Sequence, residues 1–197
     1  HAQVFPRFMI PLVLFWFWNW IKNKNIKSFY FLIAGIVYQF YCGIYLGFFV
    51  AYILLFVFIA YLIAYRDKEL FKWIKEGKNI FKHTFTIVIG IILLLPMFIP
   101  YMEISNRFGY RNFEEVLSYI PTWRSYFAAI PESYSWRFLT WHIRDQSQNW
   151  WELFLFPGLI AYLGILLFPF AYKKASNKKE LLFLLVSLLL VVLFTLN

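Results

Sequence analysis

The stretch SFYFLIAGIVYQFYCGIYLGFFVAYILLFVFIAYLIAY, residues 28–65, runs for 38 positions without a charged side chain. As one helix rising about 1.5 Å per residue it would be ~57 Å long, nearly twice a hydrocarbon core of roughly 30 Å. The stretch must therefore divide. The place is Tyr41-Cys42-Gly43, where a glycine tolerates the positive φ expected of a tight turn between two helices. Two crossings result, 28–41 and 44–65. Apolar runs bounded by charge give four more, at 4–21, 80–99, 153–172 and 181–196.

Composition agrees with this reading. Of the 197 residues 62% are hydrophobic and 24% aromatic, against roughly 45–50% apolar in an ordinary soluble domain. A water-soluble fold has no interior large enough to hide so much apolar surface. Helices in hydrocarbon need none, because their backbone polar groups bond within the helix. The expected fold is all-α, a polytopic transmembrane bundle of about six spans. Residues 1–100 hold transmembrane helices with a basic interfacial segment near 66–82, residues 101–152 form one long outer loop, and residues 153–197 return to the membrane. The chain starts at His1 rather than at Met and stops in an apolar run, so it reads as a piece of a longer protein.

Charge gives the orientation. Thirteen of the 19 basic residues, all twelve lysines among them, fall in the loops around 22–27, 66–82 and 173–179, which alternation of the spans places on one side. The positive-inside rule makes that side cytoplasmic. The formal charge of +9 is thus a topology signal and not a nucleic-acid footprint. Within 66–82, Leu70, Phe71, Trp73 and Ile74 recur at near-helical spacing among Lys68, Lys72 and Lys75, the pattern of a basic helix lying among lipid headgroups until Gly77 breaks it. Docking of a cytoplasmic partner is the other reading of that segment.

The outer loop, 101–152, carries five arginines, no lysine and six acids among many tyrosines, phenylalanines and tryptophans. So aromatic a segment is not a solvated coil. Short helices along the membrane face are expected: one capped by Asn112 with Glu115 three residues on and stopped by Pro121, one capped by Thr122 and ending before Pro131, and a third over 134–143. Two readings fit the aromatics. One is an interfacial belt. The other is a sugar- or lipid-binding wall beside Arg107, Arg111, Arg124, Arg137 and Arg144, whose planar guanidiniums suit phosphate oxygens.

Glu103, His142, Asp145 and Glu152 are the candidates for proton chemistry, with an ion pair holding the loop together as the plainer alternative. His1, Gln3 and Arg7 form a further polar group at the mouth of the first span, where Arg7 alternatively snorkels. The single cysteine, Cys42, is a packing residue and rules out an internal disulfide. No P-loop, HExxH, GxSxG or CxxC occurs, so soluble-enzyme chemistry finds no support.

Several local patterns resemble the bacterial multispanning glycosyltransferases of the GT-C superfamily. They are His1-Ala2-Gln3 with Pro6 and Pro11, Tyr41-Cys42-Gly43-Ile44-Tyr45, Leu95-Pro96 to Pro100-Tyr101, Glu114-Glu115-Val116 to Tyr119, Tyr126 to Pro131, and Glu152-Leu153-Phe154-Leu155-Phe156-Pro157-Gly158-Leu159. The resemblance implies that the membrane is a bacterial cytoplasmic one, and it implies transfer of a sugar from a polyprenyl-phosphate carrier to a glycan, lipid or protein acceptor on the outer face. It places the catalytic carboxylate upstream of His1. Substrate binding would then fall to His1, Gln3, Arg107, Arg124, Arg137, His142, Arg144 and Glu152, the arginines neutralising the departing phosphate. A divalent metal is a possible cofactor, no metal ligands being assigned. A lipid or lipid-linked-sugar transporter, or a non-catalytic assembly factor, is the competing class; transporter sites gather near the midplane at broken helices, whereas the polar residues here gather at the outer edge.

Overall fold

A computed structural model describes residues 7–109, 112–113, 117, 119–140 and 153–195. The described residues are helical, with no strand among them. They fall into two compact units, 1–109 and 110–197, each treated by itself.

The first unit contains α1 (Met9–Asn23), α2 (Ile26–Cys42), α3 (Ile44–Tyr65), α4 (Lys68–Lys75) and α5 (Gly77–Phe108). Two of these, α3 and α5, are long and apolar enough to cross a membrane. The remaining apolar helices are shorter; α2, with 17 residues, spans only about 25 Å at 1.5 Å per residue. The start of the first expected span, before residue 7, lies outside the described residues.

Helix α2 is the element against which α1, α3 and α5 all pack. A glycine marks each contact. A Cβ on Gly35 would lie 2.7 Å from Val13 Cγ2 of α1, one on Gly47 would lie 2.4 Å from the Phe40 ring, and one on Gly90 would lie 2.7 Å from Ile33 Cγ2. Removing a side chain at the crossing point lets two backbones approach, which is how helices without a hydrophobic drive between them associate in lipid. Polar side chains add to the α1–α2 pair, Asn19 Nδ2 donating to Ser28 Oγ at 2.6 Å.

The reversal between α2 and α3 sits at Gly43, where the sequence puts it, but not for the expected reason. Gly43 has φ 174°, extended backbone open to any residue, and its N–H donates to the carbonyls of Gln39 and Phe40. The glycine that geometry requires is Gly47, one turn later. At the other end two reversals share a design the hydropathy pattern does not reveal. Lys24 (φ 51°) and Arg66 (φ 49°) take the left-handed conformation, and the residue after each caps the next helix: Asn25 Oδ1 accepts from Lys27 N–H and Asp67 Oδ1 from Leu70 N–H, both at 3.0 Å.

Helix α5 runs past the expected end at residue 99. Pro96 and Pro100 lie inside it, and it continues to Phe108, so the first eight residues of the expected outer loop are helix. Each proline removes one backbone donor, and the intact turns on either side carry the helix through. The Tyr41 hydroxyl donates to the Leu93 carbonyl at 2.7 Å, tying α2 to α5 just before the prolines. Most of α5 is exposed, including Ile87, Val88, Ile91, Ile92 and Leu95. A continuous apolar surface of this kind suits hydrocarbon and not water.

Candidate functional site

The second unit is built around a short 3-10 helix, Trp123–Phe127. Thr122 caps it as expected, through a reciprocal capping box with Ser125 in which Thr122 N–H donates to Ser125 Oγ at 3.2 Å. The helix is a single tight turn, ending at Phe127 well short of Pro131. The segment leading into α6 (Leu159–Lys174) runs beside it: Leu155 N–H donates to the Ser125 carbonyl at 3.0 Å and Phe156 N–H to the Ala128 carbonyl at 3.1 Å. Ser125, Ala128 and Leu153 are buried by this pairing. The expected span at 153–172 therefore begins extended, and helix starts only after Gly158, whose φ of 94° lies where side chains are strained.

Aromatic rings then lock the turn to α6. Phe127 stacks on Tyr162 at 5.3 Å, Phe156 stacks on the same ring at 5.7 Å, and Trp136 tilts against Phe156 at 5.3 Å. The Tyr162 hydroxyl donates to the Tyr126 carbonyl. With α7 (Lys178–Thr195) these elements line one cavity of about 640 Å³, walled by Trp123, Phe127, Tyr162 and Phe168 and, from α7, by Leu184 and Leu188. That volume is within the roughly 300–1,000 Å³ usual for small-ligand sites. Its wall is almost wholly apolar, so it suits a hydrocarbon chain or ring and offers little to a sugar. Arg124 stands on the same 3-10 helix, exposed, its guanidinium 5.5 Å from the Trp123 ring. An apolar slot with a cation near one of its wall residues is complementary to an amphiphile with an anionic head.

Of the expected binding residues, Arg124 is thus placed next to a cavity. Arg137 opens the second 3-10 helix, Arg137–Thr140, within the expected third helix of the loop, and is exposed. Arg107 lies in the last turn of α5, where a cation complements the carbonyl end of the helix. It belongs to the first unit. Glu103 is exposed on α5 one turn earlier. His1, Gln3, His142, Arg144, Asp145 and Glu152 lie outside the described residues, as do Arg111, Glu115 and half of the helix expected after Asn112. Several loop aromatics remain open: Phe108 is 84% exposed, Trp123 62% and Tyr134 92%. Among the described residues no three His, Cys, Asp or Glu side chains come together as a metal site.

Three clusters at the lysine-bearing end of the first unit escape sequence reading. His83 of α5 is buried, accepts from Trp20 Nε1 of α1 at 3.0 Å through Nε2, and turns Nδ1 to the Asn79 carbonyl at 2.7 Å. That assignment of donors makes it the neutral Nδ1–H tautomer, packed against Phe29 and Trp73. Lys22 lies in an aromatic cage, its ammonium 3.6 Å from the Tyr65 ring centre and 4.9 Å from that of Trp18; such contacts give roughly 0.5–2 kcal/mol. Burial pushes the Asp67 carboxyl upward, but the Leu70 N–H, the Tyr61 hydroxyl and the charge of Lys24 outweigh it and hold the group below its ordinary value. No spacing announces the first two, whose members are spread over α1 to α5; the third is local, Asp67 capping α4 three residues before Leu70.

Compared with known proteins, the chain matches no family model, and no curated protein and no solved structure is significantly similar to it.

Proposed function

We propose that this chain is part of a membrane glycosyltransferase that takes a sugar from a polyprenyl-phosphate-linked donor and passes it to a glycan, lipid or protein acceptor on the extracytoplasmic face. The observation that carries the reading is the apolar cavity of about 640 Å³, with Arg124 adjoining its wall residue Trp123. An isoprenoid chain needs an apolar slot, and its phosphate needs a guanidinium where slot meets solvent. In this reading the six apolar segments cross the cytoplasmic membrane as a bundle, the lysine-rich loops face the cytoplasm and the 101–152 loop faces outward. The exposed loop aromatics then lie at the headgroup level, as interfacial aromatics do.

The test is transfer of radiolabelled sugar from a polyprenyl-phosphate donor by membranes carrying the full-length protein, beside an equally expressed variant with Arg107, Arg124, Arg137 and Arg144 replaced by alanine. Loss of transfer in the variant supports the reading. Absence of transfer by the unaltered protein with every donor tried overturns it in favour of a lipid transporter or an assembly factor. Sidedness is tested separately: in a Cys42→Ala background, a cysteine introduced at Ile130 reacts with an impermeant maleimide in intact cells.

A further inference from the structure

The segment between the two helices long enough to cross a membrane has a charge pattern that the function above does not use. Helix α3 ends at Tyr65 and α5 begins at Gly77, so α4 is confined to the level at which these helices leave the apolar layer. Its orientation is fixed. Leu70 is fully buried, and the Trp73 ring meets His83 edge-on at 5.3 Å. Lys68, Lys72 and Lys75 consequently point outward, as do Arg66 and Lys78, while nearby Lys82 is half-buried.

The three acids of this segment, Asp67, Glu69 and Glu76, offset only half of the formal charge of those six cations. The Asp67 carboxylate accepts from Leu70 N–H and from the Tyr61 hydroxyl, and Glu76 accepts from Asn79 Nδ2 at 3.0 Å. Glu69 is left to the surface. Among the described residues none of the six cations is in an ion pair. Apolar side chains are interleaved with them. Phe71 is 41% exposed beside Lys72, and Phe81, stacked on Phe85, is 69% exposed beside Lys82.

We propose that residues 66–82 form a binding site for anionic phospholipid headgroups, the cations meeting lipid phosphates while Phe71, Phe81 and Phe85 enter the acyl layer beneath. An acidic protein would satisfy the charges but would leave these rings uncovered. A bilayer surface satisfies both at the level where α4 is held. Basic residues close to an anionic membrane surface each strengthen attachment about fivefold, and the effect decays within a Debye length of about 8–10 Å at physiological salt.

The experiment uses the full chain in zwitterionic detergent, labelled at Cys42, which is at the opposite end of α2. Thermophoresis follows titration with dioctanoyl phosphatidylglycerol and, in parallel, dioctanoyl phosphatidylcholine. The anionic lipid is expected to bind at least tenfold more tightly, with the preference shrinking as salt is raised. The triple variant Lys68→Gln, Lys72→Gln, Lys75→Gln should lose between tenfold and about 100-fold in affinity for it. The matching arginine triple variant should retain binding, which separates loss of charge from loss of fold. Equal affinity for the two lipids, or unchanged binding by the glutamine variant, overturns the proposal; the former outcome would turn attention to an acidic protein partner.

Discussion

The bond from Trp20 to His83 joins α1 to α5 across 63 positions of sequence, and its removal tests whether these helices are held together as described. Trp20 is 8% and His83 6% exposed, so water replaces neither partner readily. His83→Leu leaves the indole N–H buried and unpaired; Trp20→Phe leaves Nε2 of the imidazole unpaired. An orphaned buried group costs about 1–3 kcal/mol, whereas interhelical bonds in membranes couple by only about 0.6 kcal/mol on average and ~1.7 at most. The low exposure at both ends favours the upper part of the second range. We expect each single variant to destabilise by about 2 kcal/mol, ring packing included, and the double variant to fall short of their sum by about 1–1.5 kcal/mol. The assay is a double-mutant cycle on the full chain in detergent, unfolded by a denaturing surfactant and followed by circular dichroism. Strictly additive single effects would refute the reasoning, since groups that do not meet have no shared energy to lose.

Gly47→Ala should destabilise despite alanine's helix propensity: the gain is about 1 kcal/mol, and overpacking against a Phe40 ring 2.4 Å away costs about 1–3. Thermal melts should show a lower midpoint for it than for Gly43→Ala, whose Cβ meets nothing closer than 3.7 Å. Gly158→Ala forces a side chain onto a φ of 94° and should cost roughly 1–3 kcal/mol in the same assay. The Asp67 carboxyl is held below its ordinary value in the fold, so its charge contributes stability that is fully present above about pH 4 and fades as pH falls through the lower folded value. Melting midpoints measured from pH 6 to pH 2 should therefore drop less steeply for Asp67→Asn, which keeps the cap but not the charge.

The helical class and most helix positions were legible in the sequence because apolar runs and the charges between them are local properties. The uncharged 28–65 stretch had to break, and Gly43 was the visible place. The proline-bearing end of α5 was not legible, since proline in isolation signals a stop, and only a helix already supported on both sides carries it through. Thr122 was readable as a cap from its own spacing, whereas the length of the helix after it was not: pairing with Leu155 and Phe156 turns the chain away after five residues.

What the sequence determined alone was the kind of structure that can exist here: helices, their approximate ends, and an asymmetric distribution of lysine and arginine between loops. Each of these follows from interactions within a few residues or from the solvent a segment tolerates. The tertiary structure decided which side chains meet. It set Trp20 on His83, Lys22 over Tyr65, and Trp123 beside Tyr162 at one cavity. Nearly every helix face here is apolar, so periodicity does not say which face is inward. That choice falls to the few small residues, Gly35, Gly47 and Gly90, where helices come close enough for the rest to pack.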